Sequence, residues 1–98
     1  MYLVHGANAT VASADSQREV LQKFGVALNF PQWYGTNLDA FNDCLREFTN
    51  SLTAPFTVVW QVSSEFSKDR AFAAMSQIIE EAEQQEGHHL SVIALLKK

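Results

Sequence analysis

Hydrophobic and polar positions alternate along this chain with two different periods, and the switches between them mark out six elements. Met1 to Gly6 reads as a short strand, stopped by Gly6 and the turn-prone Ala7-Asn8. A helix follows. Ser16 with Glu19 three residues later has the form of a capping box, and Val20, Leu21, Phe24, Ala27 and Leu28 then recur at helical spacing. Gly25 weakens that helix and Pro31 is expected to end it. Thr36 can cap a second helix, with Asp39 at its third position and an end near Phe48; Thr49 to Ala54 reads as a polar connection. Phe56-Thr57-Val58-Val59-Trp60, rich in β-branched and aromatic residues, suits a buried central strand. A third helix is expected from Ser67 or a neighbour to Gly87, with Ala71, Phe72, Met75, Ile78, Ile79 and Ala82 on its apolar side. Leu90 to Leu96, almost continuously apolar, is expected as a buried closing strand.

The predicted order is β-α-α-β-α-β. Right-handed crossovers would turn it into an α/β fold, a small three-stranded parallel sheet with three to four helices packed against it. Residues 1–98 are expected to form one domain, because a chain of 98 residues with 47% apolar and 18% charged positions supports one core and no second. Cys44 is the single cysteine, which fits a reducing compartment, so the cytoplasm is expected. Neither a leader pattern nor an apolar run long enough for a membrane span is visible.

Charge narrows the function. The net charge is −4; Ala71 to Leu96 holds four glutamates and no Lys or Arg, and Asn29 to Ser67 holds one basic residue, Arg46. Such a surface repels phosphate backbones, so direct nucleic-acid binding is disfavoured and a basic protein partner favoured.

The second helix concentrates this charge. In steps of about 100° per residue, Leu38, Phe41, Cys44, Leu45 and Phe48 fall on one side and Asp39, Asn42, Asp43 and Arg46 on the other. Asp39 and Asp43, four residues apart, stack like charges at a cost of a few tenths of a kcal/mol. Asp39 has a competing structural reading, since a carboxylate in a first turn favours the helix dipole and its cap. Asp43 lies beyond that turn; its competing reading is a pair with Arg46. Trp33 and Tyr34, held between Pro31 and Gly35, put aromatic rings beside the carboxylates, and at least one ring is expected to be exposed as in a protein-binding hot spot.

The segment Phe30-Pro31-Gln32-Trp33-Tyr34-Gly35-Thr36-Asn37-Leu38-Asp39-Ala40-Phe41-Asn42-Asp43-Cys44-Leu45 closely resembles the signature of the barstar family of ribonuclease inhibitors. The resemblance extends over the preceding helix, the Phe56 to Trp60 strand, and Glu86-Gly87 with the final strand. It implies a tight one-to-one inhibitor, monomeric when free and without cofactors, that inserts its second helix and the loop before it into the active site of a small basic ribonuclease. Acidic side chains would there replace RNA phosphates. By the same resemblance Asp43 is the dominant anchor and Asp39 its companion. Trp33 stands where the family often has a stacking tyrosine, with Tyr34 beside it, Gly35 is a contact glycine, and Asn37 keeps the family's Asn-Leu-Asp-Ala spacing. Phe48 falls where a tryptophan is common.

Two positions depart from the pattern. Asn42 replaces an interface tryptophan. A late glutamate of the third helix falls, without a gap, on Ala82, whereas a shift of one residue offers Glu81. Glu80, Glu81, Glu83 and Glu86 gather at that helix end, either for solubility or as a second acidic edge of the interface. A second reading keeps the fold with a different basic partner, such as a nuclease or toxin of another fold, or a regulatory interaction role.

Signals for catalysis are weak. Cys44 has Asp43 beside it and no basic neighbour to lower its pKa, so a buried thiol is expected. Adjacent His88 and His89 point to opposite faces if extended and read as loop residues, with no third metal ligand suitably spaced. Asp39 and Asp43 as a glycosidase-like pair would need a cleft, where a convex helix surface is expected.

Overall fold

A computed structural model describes residues 7–31, 35–85 and 89–97. Three parallel strands form one sheet in the order β1-β2-β3, where β1 is Ala9–Val11, β2 is Phe56–Ser63 and β3 is Leu90–Lys97. Helices α1 (Gln17–Ala27) and α2 (Leu38–Ser51) lie between β1 and β2 in sequence, and α3 (Arg70–Glu83) lies between β2 and β3. This is the expected α/β arrangement and element order.

The expected strand at Met1 to Gly6 lies outside the described residues. The observed β1 begins later, where a turn and connection were expected, with Ala9 opposite Val58 and Val11 opposite Trp60. Asn8 brings it there: its main-chain N–H donates to the Thr57 carbonyl and its Oδ1 accepts the Thr57 N–H, both at 2.8 Å. A turn-forming residue thus serves as a strand clamp.

Helix α1 starts where the capping box places it. Ser16 Oγ accepts the Glu19 N–H at 3.3 Å, and its hydroxyl donates to Glu19 Oε1 at 3.2 Å. Pro31 does not end the helix. Asn29 adopts the left-handed region at φ 56°, Phe30 N–H returns to the Gly25 carbonyl at 2.8 Å, and Asn29 N–H reaches the Val26 carbonyl at 3.3 Å. That is a Schellman ending with Asn in the position Gly usually takes.

Helix α2 differs from expectation at both ends. Its cap is Asn37, not Thr36: extended at φ −138°, Asn37 accepts the Ala40 N–H on Oδ1 at 2.8 Å. The helix runs on to Ser51, and two hydroxyl side chains add bonds to carbonyls of its last turns. Thr49 Oγ1 donates to the Leu45 carbonyl at 2.9 Å and Ser51 Oγ to that of Phe48 at 2.7 Å.

A chain of rings fixes α2 on the sheet. Phe24 packs edge-on against Phe41 of α2 at 5.1 Å and against Trp60 of β2 at 5.2 Å, and Trp60 continues to Phe72 at 5.5 Å and Phe66 at 6.2 Å. Phe41 and Leu45 are fully buried, so the opposite face of α2 is turned outward.

Ser67 does not start the third helix. It sits in a single 3-10 turn, Phe66–Lys68, and Asp69 caps α3 by accepting the Ala71 N–H at 2.8 Å. Ala71, Met75, Ile79 and Ala82 are buried along α3 as expected; the helix ends at Glu83, and Gly87 lies outside the described residues.

Strand β3 departs most from its pattern. Leu90 is buried, but Ile93, Leu95 and Leu96 are 38%, 45% and 58% exposed. An apolar run reads as buried on both faces, yet β3 is the edge of a three-stranded sheet and has a neighbour on one side only. Glu83 Oε2 accepts the Val92 N–H at 2.8 Å, so a side chain satisfies one of its main-chain donors.

Candidate partner-binding face on the second helix

The outward face of α2 carries Asp39, Asp43, Arg46 and Glu47, all exposed, with Asn42 half-buried beside them. Asp39, Asp43 and Glu47 follow at intervals of four, which stacks three carboxylates in one stripe. Glu47 completes a stripe whose first two members were singled out from the sequence, and the same interval would have found it.

Among the described residues none of these carboxylates has an ion pair or a hydrogen-bond partner. With Asn37 as the cap, Asp39 occupies the second helical position, and Ala40 N–H is given to Asn37. Asp39 retains the favourable helix-dipole position and no capping bond among the described residues. The expected Asp43–Arg46 pair does not form: among the described residues no Lys or Arg nitrogen lies within 4.0 Å of Asp39, Asp43 or Glu47.

Two depressions flank the stripe. On the α1 side, about 170 Å³ is lined by residues including Phe30, Pro31, Glu47 and Phe48. On the α3 side, about 230 Å³ is lined by Asn42, Arg46, Glu81, Ala82 and Gln85. Asp39 and Asp43 line neither, and stand on the convex ridge between them.

On the α3 side burial separates the two late candidates. Ala82 is 2% exposed and points into the core, whereas Glu81 is exposed and borders the same depression as Asn42 and Arg46. One residue is about 100° of helix, and that step takes α3 from exposed Glu81 to buried Ala82. Gln77 Nε2 donates to Glu81 Oε2 at 3.5 Å. Of the other late acids, Glu80 is exposed, Glu83 is engaged with Val92, and Glu86 lies outside the described residues. Gln85 Oε1 is buried with no hydrogen-bond partner among the described residues.

The remaining candidates divide by location. Trp33, Tyr34 and the expected exposed ring lie outside the described residues. Gly35 is exposed, and a Cβ there would stand 3.2 Å from Asn37 Nδ2, so its small size keeps the cap side chain uncrowded. Phe48 is half-buried, its ring 5.0 Å from Phe56. Cys44 is 4% exposed, and burial, then Glu47, then Asp43 push its thiol above the usual range. That is the reverse of what a nucleophile needs. His89 is half-buried with its carbonyl accepting the Phe56 N–H at 2.8 Å, and His88 lies outside the described residues. No group of three His, Cys, Asp or Glu among the described residues is placed to hold a metal ion, and no described helix is long and apolar enough to cross a membrane.

This geometry, a convex acidic helix held by buried rings on a three-stranded parallel sheet, coincides with a family match. The family model described as Barstar (barnase inhibitor) matches residues 4–96. The chain belongs to the barstar family. The match covers α2, both flanking depressions and the sheet as far as Leu96, so the acidic stripe lies within the matched residues. A search of curated proteins finds no match to this barstar-family chain.

Proposed function

We propose that this barstar-family chain inhibits a small basic ribonuclease, one to one, by laying the outer face of α2 and the loop before it across the enzyme's active site. The observation that carries the reading is the stripe Asp39, Asp43 and Glu47, exposed and without a cationic partner among the described residues, in a family described as barnase inhibitors. Like charges at four-residue intervals cost stability, and nothing in the described structure offsets that cost. A basic partner does. Charges that face water are available both to speed encounter and to pair with Arg, Lys and His once desolvated.

In this reading Asp43 is the anchor, because it lies past the first turn and has neither a capping role nor an ion pair among the described residues. Asp39 supports it. By the family resemblance Trp33, Tyr34, Gly35 and Phe48 join the contact, with Asn42, Arg46 and Glu81 on the α3 side, while Asn37 acts by holding the start of α2. The chain acts without turnover or cofactor, binds no nucleic acid itself, is a monomer when free and protects its own cytoplasm.

A second reading, a barstar fold serving a different basic protein, is favoured by one observation. Half-buried Asn42 and exposed Arg46 take the α3 side of the face away from the aromatic pattern of the resemblance. Inhibition of a barnase-type ribonuclease separates the two readings. Asp43→Ala is expected to weaken inhibition far more than Glu65→Ala, an exposed carboxylate away from α2, and added salt is expected to slow association. Equal small losses for both variants refute the site.

A further inference from the structure

We infer, resting on the reading above, that the partner presents a carboxylate to Arg46, so that the interface pairs charges of both signs instead of setting a uniformly acidic face against a uniformly basic one. Across α2 the charges are segregated. Glu47 lies toward the α1 side, where it borders Phe30 and Pro31; Arg46 lies toward α3, where it borders Asn42 and Glu81; Asp43 stands on the ridge between. Arg46 is the only Lys or Arg between Asn29 and Ser67.

A guanidinium docked against a basic surface has two ways to avoid repulsion and lost hydration. It can fold back on a carboxylate of its own chain, or meet one on the partner. Among the described residues the first does not occur. Asp43 is three residues away on the same helix, and Glu81 shares the depression, yet no ion pair within 4.0 Å joins Arg46 to either. Glu81 instead takes its hydrogen bond from Gln77. Folding Arg46 onto Asp43 would also neutralise the anchor. An acceptor from outside fits better: the depression of about 230 Å³ is open and polar-lined, room enough for a carboxylate to meet the guanidinium fork.

The test uses the full chain with a barnase-type ribonuclease as probe. Association and dissociation rates are measured for wild type, Arg46→Glu, Arg46→Lys and Asp43→Ala, against the enzyme and its variants in which each Asp or Glu flanking the cleft becomes Lys. Arg46→Glu is expected to weaken binding about tenfold, with Arg46→Lys intermediate. One Asp/Glu→Lys variant of the enzyme is expected to restore binding by Arg46→Glu selectively. Arg46→Glu binding as tightly as wild type or tighter, or no enzyme carboxylate coupling to it, overturns the inference. If Asp43→Ala still loses binding in that case, the inhibitor reading stands and only this inference falls. If wild type fails to inhibit, the reading falls and the inference with it.

Discussion

Replacing Asn37 by Ala separates the two possible starts of α2. Asn37 Oδ1 accepts the Ala40 N–H at 2.8 Å, whereas Thr36 is the residue the sequence pattern favours. Loss of a single N-cap costs about 1 kcal/mol. The cost stops there, because Phe41 and Leu45, fully buried one turn further on, hold the helix on the sheet without the cap. For a domain near this size, 1 kcal/mol lowers Tm by about 4–8 °C. With an m-value of about 2 kcal/mol/M, it lowers the urea midpoint by about 0.5 M. Circular dichroism across a urea series checks both, with Asn37→Asp and Thr36→Ala in parallel. Asp caps as well as Asn, so Asn37→Asp is expected to stay near wild type, and Thr36→Ala to change stability by less than about 0.5 kcal/mol. A neutral Asn37→Ala together with a destabilised Thr36→Ala refutes the assignment, and with it the placement of Asp39 at the second helical position.

Other expectations test the edge strand, the thiol and the tie between α3 and β3. Leu90→Ala is expected to cost about 2–5 kcal/mol and Leu95→Ser much less, since Leu90 is buried and Leu95 is 45% exposed; equal losses in chemical denaturation would mean that β3 is covered on both faces. Glu83→Ala is expected to cost about 1.5–3 kcal/mol and to speed amide exchange at Val92, because a charged acceptor is removed from its N–H. Cys44 is expected to react with a thiol reagent at pH 8 far more slowly in the native chain than in urea. Its folded pKa lies above the ordinary 9.0, so the contribution of the neutral thiol is complete below that value. As pH rises past it the unfolded thiol ionises first and stability falls, a slope that Cys44→Ala should remove.

Much of this protein is legible without coordinates. Ser16 and Glu19 announce the start of α1, the spacing of Leu38, Phe41, Cys44, Leu45 and Phe48 assigns the inner side of α2, and β-branched Phe56 to Trp60 marks the central strand. Each depends on neighbours within a turn or two, where side-chain direction follows from period alone. The acidic face follows as well, since the residues opposite a buried stripe must meet water. Element ends were less legible. Thr36 and Asn37 both cap well, so residue type alone does not select Asn37. Asn29 ended α1 ahead of Pro31 because a left-handed Asn closes the last carbonyls before proline can act.

What the sequence determined by itself is the order of elements, the side of each helix that is buried, and the sign of the surface charge, all local consequences of period and composition. What only the tertiary structure decided is how separate segments meet. Asn8 had to find Thr57 before a turn residue could become a strand clamp. The edge position of β3 exposes Ile93, Leu95 and Leu96 although their run reads as buried. The rotation of α3 against α2 leaves Glu81 exposed at the depression that Asn42 and Arg46 border, with Ala82 buried in its wall. A strand's burial and a helix's azimuth depend on partners distant in sequence, and no periodicity along one segment encodes which face of its neighbour it will meet.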